Sequence, residues 1–507
     1  MALAFEKIEI DSDIILIESD LIFEPSILKK LIRSPYPTAA LVDRFRSGMD
    51  GTVVTVDNTV ITTVIPPHVQ GENFDFADKY KTLNIYKFSK KFCETSFHKL
   101  LTYYARTIND NCYYELILGI LIYMQQDTIH AVIVDNEKWA EVDDPNDLRV
   151  ADFVFNSRRV DMLKDAFGGY WNFDVLDFVF IRNMHFPGSA IISEMKNNLA
   201  NLIHNYGSRQ LYLDTKMSWF LLCNVKRLIA LNGASQIYPV LAHKYAGKKA
   251  LIPRPAFGEY PRIFPNASLY TDEVGMDTAE IEKKAKKHDV VVIVNPNNPT
   301  GSVVSTEWIW QCAQQNPSAD FIIDESFIEF SSQTPLLSIL ETRPLDNVIV
   351  VKSLSKSLGM PGIRLGYAYT CNSDIADYIH TSLPIWSMNS LAEFALETML
   401  KHRRSLAQSF ELTKNDRDDF IEQLRDVPAI ETVYPSEANF ILLKLAPHIK
   451  ADTLVHLLVE KYSIYIKDVS DKFDSAKQYI RLAVRTADEN AKLIACLREA
   501  AADTRKR

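Results

Sequence analysis

Val351-Lys352-Ser353-Leu354-Ser355-Lys356-Ser357-Leu358-Gly359-Met360-Pro361-Gly362-Ile363-Arg364-Leu365-Gly366 is the stretch that decides the fold. Residues 348–351 are a β-branched apolar run that reads as a buried strand. The strand delivers Ser353, Ser355 and Lys356 into a turn. Gly359, Gly362 and Gly366 let the backbone turn tightly there, and Arg364 follows eight residues after Lys356. Hydroxyls and one arginine beside a lysine can hold a phosphate next to an amine. An amine held in that way can condense with a carbonyl carbon.

Upstream, the same kind of strand recurs at residues 228–231, 290–294 and 321–323, each separated from the next by amphipathic helical sequence. Continuous apolar strands alternating with helices predict a mostly parallel sheet covered on both faces, an α/β architecture. Two strand ends carry chemistry. Asn295-Pro296-Asn297-Asn298-Pro299-Thr300-Gly301 follows one, and Asp324-Glu325-Ser326-Phe327 closes the next. Such sheets place ligands at the carboxyl ends of their strands. A carboxylate there can hold a pyridinium proton, and an amide can hydrogen-bond a phenolic oxygen. Lysine, carboxylate, amide and phosphate cup together match pyridoxal phosphate.

The whole chain has 507 residues, 56 Lys+Arg against 65 Asp+Glu, and a formal charge of −9. That balance is ordinary for a folded soluble protein and argues against nucleic acid as a partner. No apolar run approaches the roughly 20 residues that span a bilayer. The N-terminus lacks the cationic and apolar pattern of a signal peptide. The cysteines, at 93, 112, 223, 312, 371 and 496, are dispersed, which fits a reducing cytoplasm. Glycine is scarce at 16 residues, and seven of these (207, 233, 258, 301, 359, 362 and 366) lie in the segments read here as chemical.

From about residue 185 to 507 the sequence resembles the fold-type I pyridoxal-phosphate aminotransferases, most closely the branch with histidinol-phosphate aminotransferase and threonine-phosphate decarboxylase. The resemblance implies a large mostly parallel-sheet domain at about 215–395 and a small α+β lobe from about 185–214 plus 396–507. It makes Lys356 the lysine that carries the cofactor and moves the proton, and Asp324 the partner of the ring nitrogen. Asn298 would bond the ring oxygen, and Ser353, Ser355 and Arg364 would bind the phosphate. Asn232-Gly233-Ala234-Ser235-Gln236 follows a strand and opens a helix, so Ala234 and Ser235 join the phosphate cup. Phe257 matches the aromatic that stacks on the ring, with core packing as its plainer reading. Tyr206, in Asn205-Tyr206-Gly207-Ser208, matches a tyrosine given to the partner subunit's phosphate, which implies a homodimer. Arg481 matches the arginine that binds the substrate carboxylate, and its planar fork suits a phosphonate equally. One departure stands out: where the family often has a tyrosine that bonds the ring oxygen, this chain has Phe327.

Residues 1–165 resemble the later part of a phosphocholine or sugar-phosphate nucleotidyltransferase. The likeness rests on Ile17-Glu18-Ser19-Asp20-Leu21-Ile22-Phe23, on residues 80–88 and on residues 139–148. It implies Asp20 and Asp143 as Mg²⁺ ligands, with Lys81, Asn84 and Tyr86 facing the substrate. The Gly-rich loop that opens that family is not found here; only Gly48, Gly51, Gly71 and Gly119 precede residue 150. The expectation is a partial α/β domain whose nucleotide-binding half is lost or comes from another polypeptide. The order of the two parts resembles cytidylyltransferase–transaminase fusions of aminoethylphosphonate metabolism. The expected activity is transamination between a small-molecule amino donor and a phosphate- or phosphonate-bearing acceptor. Decarboxylation of a phospho-amino acid, histidinol-phosphate transamination and CTP-dependent nucleotidyl transfer are the alternatives.

Overall fold

A computed structural model describes residues 1–504 apart from 47, 72, 73, 110 and 112, so Cys112 lies outside the described residues. The chain divides into two compact units, residues 1–175 and 176–507.

The first unit is built on a six-stranded sheet in the order Ile14–Ile17, Tyr80–Phe88, Ala39–Arg44, His130–Ile133, Val60–Ile65, Val53–Asp57. Only the Ala39–Arg44 and His130–Ile133 pair is parallel. The Val53–Asp57 and Val60–Ile65 strands form a hairpin, turned at Asn58 with a positive φ of 56° that Asn tolerates. One face packs Tyr86, Phe88, Phe97, Ile117 and Leu118; the other packs Ile27, Leu31, Leu83 and Ile85 beneath the Pro25–Arg33 helix. A short ribbon pairs Leu21–Phe23 with Trp139–Glu141, and the Val142 N–H donates to the Asp20 carbonyl at 2.9 Å. This ribbon brings the segments of Asp20 and Asp143 side by side. The helix-prone stretch over about 146–167 is two helices, Pro145–Phe155 and Arg159–Ala166. Asn156 breaks it: its backbone is extended, and its side chain bonds both Asp152 Oδ1 and the Arg158 N–H.

The second unit holds a seven-stranded sheet in the order Leu228–Leu231, Gly366–Thr370, Val348–Ser353, Asp320–Asp324, Val290–Val294, Ala250–Arg254, Ser268–Thr271. Six of the seven strands run in one direction, and Gly366–Thr370 is antiparallel to both its neighbours. Val290–Val294 is buried along its whole length, which is why its sequence reads as an unbroken β-branched run. Each such side chain removed from water contributes roughly 1.5–3 kcal/mol. Helices cover both faces, with Ile293, Phe321 and Val350 packed on one side and Val292, Ile322 and Val351 on the other. Residues 185–214 were expected in the small lobe. Instead Ile191, Met195 and Leu213 join the core of the large sheet, because the Ser189–His204 and Gln210–Leu221 helices turn their apolar sides onto it.

A four-stranded antiparallel sheet follows, ordered Ile430–Val433, Phe440–Leu445, Tyr479–Ala483, Lys467–Asp468. The Arg403–Leu424, Ala451–Tyr462 and Ala487–Thr504 helices accompany it. No helix among the described residues is long and apolar enough to cross a membrane.

Candidate active site

The parallel strands of the second unit end on one edge, and their C-terminal loops carry Phe257, Asn298, Asp324 and Lys356. Lys356 sits in the short Leu354–Ser357 helix directly after its strand. The residue is half-buried. Burial, and then the Arg481 and Arg364 charges, lower its pKa to about 8. Its turn is clamped from below: the Asn183 N–H donates to the Lys356 carbonyl at 2.9 Å, and Asn183 Nδ2 to the Ser357 carbonyl at 2.9 Å. Gly359 has a positive φ of 63°, and any β-carbon there would collide with the Phe186 carbonyl, so only glycine fits the turn.

Asp324 is fully buried. One oxygen accepts from the Tyr260 hydroxyl at 2.8 Å; the other accepts from Ser326 Oγ at 2.6 Å and the Ser326 N–H at 3.0 Å. Burial raises its pKa, while Ser326, Tyr260 and the Lys352 charge pull it down. Such a carboxylate, ordered and short of solvent, is suited to a single cationic N–H partner. Lys352 itself lies behind the site, ion-paired with Glu329 and buried.

Arg364 and Ser235 meet on the other side of the lysine. Arg364 Nη2 donates to Ser235 Oγ at 2.9 Å, and Nη1 to the Pro361 carbonyl at 3.1 Å. A β-carbon on Gly233 would stand 2.6 Å from Arg364 Nη2, so glycine is what lets the guanidinium approach the backbone of Ala234 and Ser235. Ala234–Gln236 is a 3₁₀ turn, and the α-helix begins only at Ile237. Ser355 Oγ and Asn232 Oδ1 are buried with no protein partner. Ser353 gives its backbone N–H to Ser326 Oγ.

Arg481, on the Tyr479–Ala483 strand, reaches back to this edge. Its Nη1 donates to Asn298 Oδ1 at 3.0 Å and its Nη2 to the Val179 carbonyl, while its Nε is buried and unpartnered. Burial lowers its pKa to about 10. Phe257 is half-buried, its ring 6.1 Å from Tyr238 and 6.4 Å from Tyr260. Phe327 packs edge-on against Phe440, with centroids 5.0 Å apart, and offers no donor. Tyr206 stands apart: it is 79% exposed and stacks on Trp386 at 4.6 Å.

These positions fit pyridoxal phosphate. A half-buried amine of lowered basicity, a buried carboxylate and an arginine–serine pair in a glycine cradle line one strand edge, with unpartnered buried oxygens on Ser355 and Asn232. Residues 183–497 match the model of the aminotransferase class I and II family.

The chain belongs to that family.

Aminotransferases of class I and II depend on pyridoxal phosphate, and this chain is an enzyme of that kind with the fold-type I architecture. It is 29% identical to CMP-5'-(3-aminopropyl)phosphonate synthase of Streptomyces rubellomurinus over 97% of this chain and 80% of that one. It is 30% identical to the L-serine phosphate decarboxylase of Sulfurospirillum multivorans over 61% of this chain and 82% of that one. Among solved structures, the histidinol-phosphate aminotransferase of Clostridium acetobutylicum superposes with a TM-score of 0.59. It has 25% identity and covers 65% of this chain and all of that one.

Sequence reasoning missed Asn183, Tyr260 and Ser326. Tyr260 lies in the short Glu259–Ile263 helix, and its N–H donates to the carbonyl of Phe257, just before that helix, at 3.2 Å; its nearness in sequence to Phe257 was the signal on offer. Asn183 gave none, because its bonds cross 173 residues of sequence.

In the first unit, Lys81 Nζ pairs with Glu141 Oε2 at 3.0 Å, and Asn84 Nδ2 donates to Glu141 Oε1 at 3.0 Å. Asn84 has a positive φ of 57°, which breaks the strand alternation and turns its amide to the lysine's side. Asp143 is exposed; burial and then Asp20 raise its pKa, so the two carboxylates feel each other. Among the described residues no group of three or more carboxylate, histidine or cysteine ligands is placed to hold a metal. Tyr86, expected to face solvent-borne substrate, is 2% exposed and packed in the core. The bulge at Asn84 and the helix start at Tyr114 cover it.

Proposed function

We propose that the chain is a transaminase acting on a small substrate that bears a phosphate or phosphonate. The observation that carries this reading is Arg481, whose fork is held by Asn298 and Val179 while its buried Nε is left for an anion beside Lys356. Pyridoxal phosphate, when bound, supplies an electron sink for the pair left at the substrate α-carbon. The rest of the reading assigns roles to side chains. Lys356 Nζ holds the cofactor and ferries the proton at the α-carbon, helped by a basicity matched to neutral pH. Asp324 keeps the ring nitrogen protonated, and Tyr260 and Ser326 fix its orientation. Asn298 takes the ring oxygen, and Phe257 covers the ring. Arg364, Ser235, Ser353, Ser355 and the Ala234 backbone form the phosphate cup. Arg481 grips the carboxylate of the amino donor, then the anionic end of the acceptor.

A homodimer completes this reading. Tyr206, Ile203, Leu211, Tyr212 and Ile385 are exposed apolar side chains on neighbouring segments. In the dimer they are covered and Tyr206 is offered to the second copy's phosphate.

The first unit we read as a nucleotidyltransferase-like domain, with Asp20 and Asp143 as its Mg²⁺ carboxylates. Similarity to the Streptomyces synthase across 97% of this chain supports joining it to an aminophosphonate transaminase. A second reading, decarboxylation of a phospho-amino acid, is favoured by Phe327, which removes a hydrogen bond from the ring oxygen, and by the Sulfurospirillum relative. Incubation with an amino-donor panel and phosphonoacetaldehyde, read by mass spectrometry, separates the two. Donor-dependent formation of 2-aminoethylphosphonate supports transamination. Carbon dioxide release from phosphoserine without a keto acid supports the second reading.

A further inference from the structure

The loop between the Lys467–Asp468 and Tyr479–Ala483 strands has no role in the reading above. It is fastened at its base to the strand that carries Arg481. The Val469 N–H donates to the Tyr479 carbonyl at 3.0 Å, and the Tyr479 N–H donates to Ser470 Oγ at 2.9 Å. Phe473 stacks on the Tyr479 ring with centroids 4.0 Å apart. Tyr479 and Arg481 are two residues apart on that strand and share a face. The loop also reaches the large sheet. Lys472 Nζ donates to the Ala256 carbonyl at 2.9 Å, and Asp474 pairs with Arg254. Lys472 Nζ lies 4.0 Å from where a β-carbon on Gly258 would stand. The ammonium is therefore held beside both neighbours of Phe257, the residue read as covering the cofactor ring.

Lys472 is a cation without a countercharge. It is half-buried, and among the described residues no carboxylate makes an ion pair with it. Burial lowers its pKa, Asp471 raises it, and Arg481 and then Lys467 lower it again. Asp471 is exposed to water, and Asp474 is taken by Arg254. Arg481, whose charge is felt at Lys472, is only 8% exposed and has a buried, unpartnered Nε. Asp177, the acid that acts on Arg481, already accepts from the Val179 N–H at 2.7 Å and the Phe180 N–H at 3.2 Å. Charges taken out of water need a partner. Two neighbouring cations whose nearby acids face water or hold other groups call for a ligand with two negative charges. A carboxylate answers one of them; a phosphate or phosphonate answers both.

We propose that Lys472 joins Arg481 in binding the dianionic end of a phosphate- or phosphonate-bearing substrate, and so sets the preference for that end over a carboxylate. The proposal deepens the transaminase reading and rests on it for the class of substrate. Arg481 alone answers the single charge of an amino-acid donor's carboxylate. Lys472 keeps further N–H groups after its bond to Ala256 and adds the second charge where the acceptor carries one.

The test compares two anions on the holoenzyme. Ethyl phosphate and butyrate have the same chain length and carry no amine, so their binding needs no turnover. Calorimetry at pH 8 is expected to show ethyl phosphate bound at least about tenfold more tightly than butyrate. Lys472→Gln, which keeps a donor for Ala256 but no charge, should abolish that preference. Lys472→Arg, which restores the charge, should regain part of it. Single-turnover amine transfer is measured in parallel. In Lys472→Gln the ratio of the rate with 2-aminoethylphosphonate to that with L-alanine should fall by at least about tenfold. An equal loss for both amines would make Lys472 a support for the loop and overturn the proposal. Absence of a preference for ethyl phosphate in the natural protein, or a preference that Lys472→Gln leaves intact, overturns it too. Amine transfer without a Lys472-dependent preference defeats the role of Lys472 alone. A Lys472-dependent preference without amine transfer from any donor defeats the transaminase reading alone.

Discussion

Arg481 Nη1 donates to Asn298 Oδ1 at 3.0 Å, joining a strand of the small antiparallel sheet to the loop that ends a strand of the large one. One residue read as the ring-oxygen partner thus positions the residue read as the substrate anchor. With Nη2 held by the Val179 carbonyl, the guanidinium cannot swing away, and its orientation is set before any substrate arrives.

Arg481→Lys is therefore not conservative. A lysine keeps the charge but loses the fork, and cannot bond Asn298, Val179 and a carboxylate together. Each charge-assisted bond lost costs about 1.5–3 kcal/mol. The kcat/KM for amino-acid donors is expected to fall by about 10²–10³-fold, while the cofactor's visible absorbance is retained. Steady-state kinetics beside a spectrum checks both.

Lys356 has a pKa lowered to about 8 by burial, Arg481 and Arg364. A free amine, not an ammonium, captures an aldehyde. Capture of pyridoxal phosphate by the cofactor-free chain should therefore rise with pH to a midpoint of about 8. Removing a nearby cation favours the ammonium, so Arg481→Ala should move the midpoint upward. Stopped-flow absorbance across pH 6 to 10 reads both midpoints.

Tyr260 gives Asp324 one of its hydrogen bonds and thereby lowers a carboxyl pKa that burial raises. Tyr260→Phe leaves the ring packing and deletes that bond. The Asp324 pKa then rises, and the acidic limb of the kcat/KM profile moves to higher pH by about one unit, the equivalent of roughly 1.4 kcal/mol. An unmoved limb with lower activity at every pH would mean that Tyr260 only packs.

Glu325 is fully buried next to Asp324; both its oxygens accept from the Leu336 N–H, and burial raises its pKa from 4.5 to about 7. A carboxyl with a raised folded pKa keeps its proton in the fold after the unfolded chain has released it. Stability is then lost as pH rises from about 4.5 to about 7 and is level above that. Glu325→Gln cannot ionise. It should match the natural protein near pH 5 and exceed it at pH 8 by up to about 3 kcal/mol. Denaturant unfolding at the two pH values checks the divergence.

What the sequence could show followed from how local each feature is. The strand ends, the lysine turn and its glycines are written in consecutive residues, so Lys356, Asp324, Asn298 and Arg364 could be named before any coordinates. The apolar runs of the parallel strands announced the large sheet in the same way. Contacts between distant segments could not be read. Nothing near Asn183 points to Lys356, and nothing near Ser326 tells that its hydroxyl serves both Asp324 and Ser353. The break at Asn156 was hidden because a single side chain competing for backbone bonds leaves the helical periodicity intact. Residues 185–214 were assigned to the wrong layer because two amphipathic helices do not say which sheet they cover. Tyr86 was turned toward substrate by the resemblance alone, and the left-handed backbone of Asn84, which resets the strand's alternation, leaves no mark in the sequence.

Lys356 is the residue assigned to carry the cofactor. Borohydride reduction of the yellow protein, digestion and peptide mass mapping tests it directly. The added cofactor mass is expected on the peptide that contains Lys356, with none in Lys356→Ala. Cofactor mass on a different lysine, or a Lys356→Ala protein that is labelled as fully as the natural one, would contradict it.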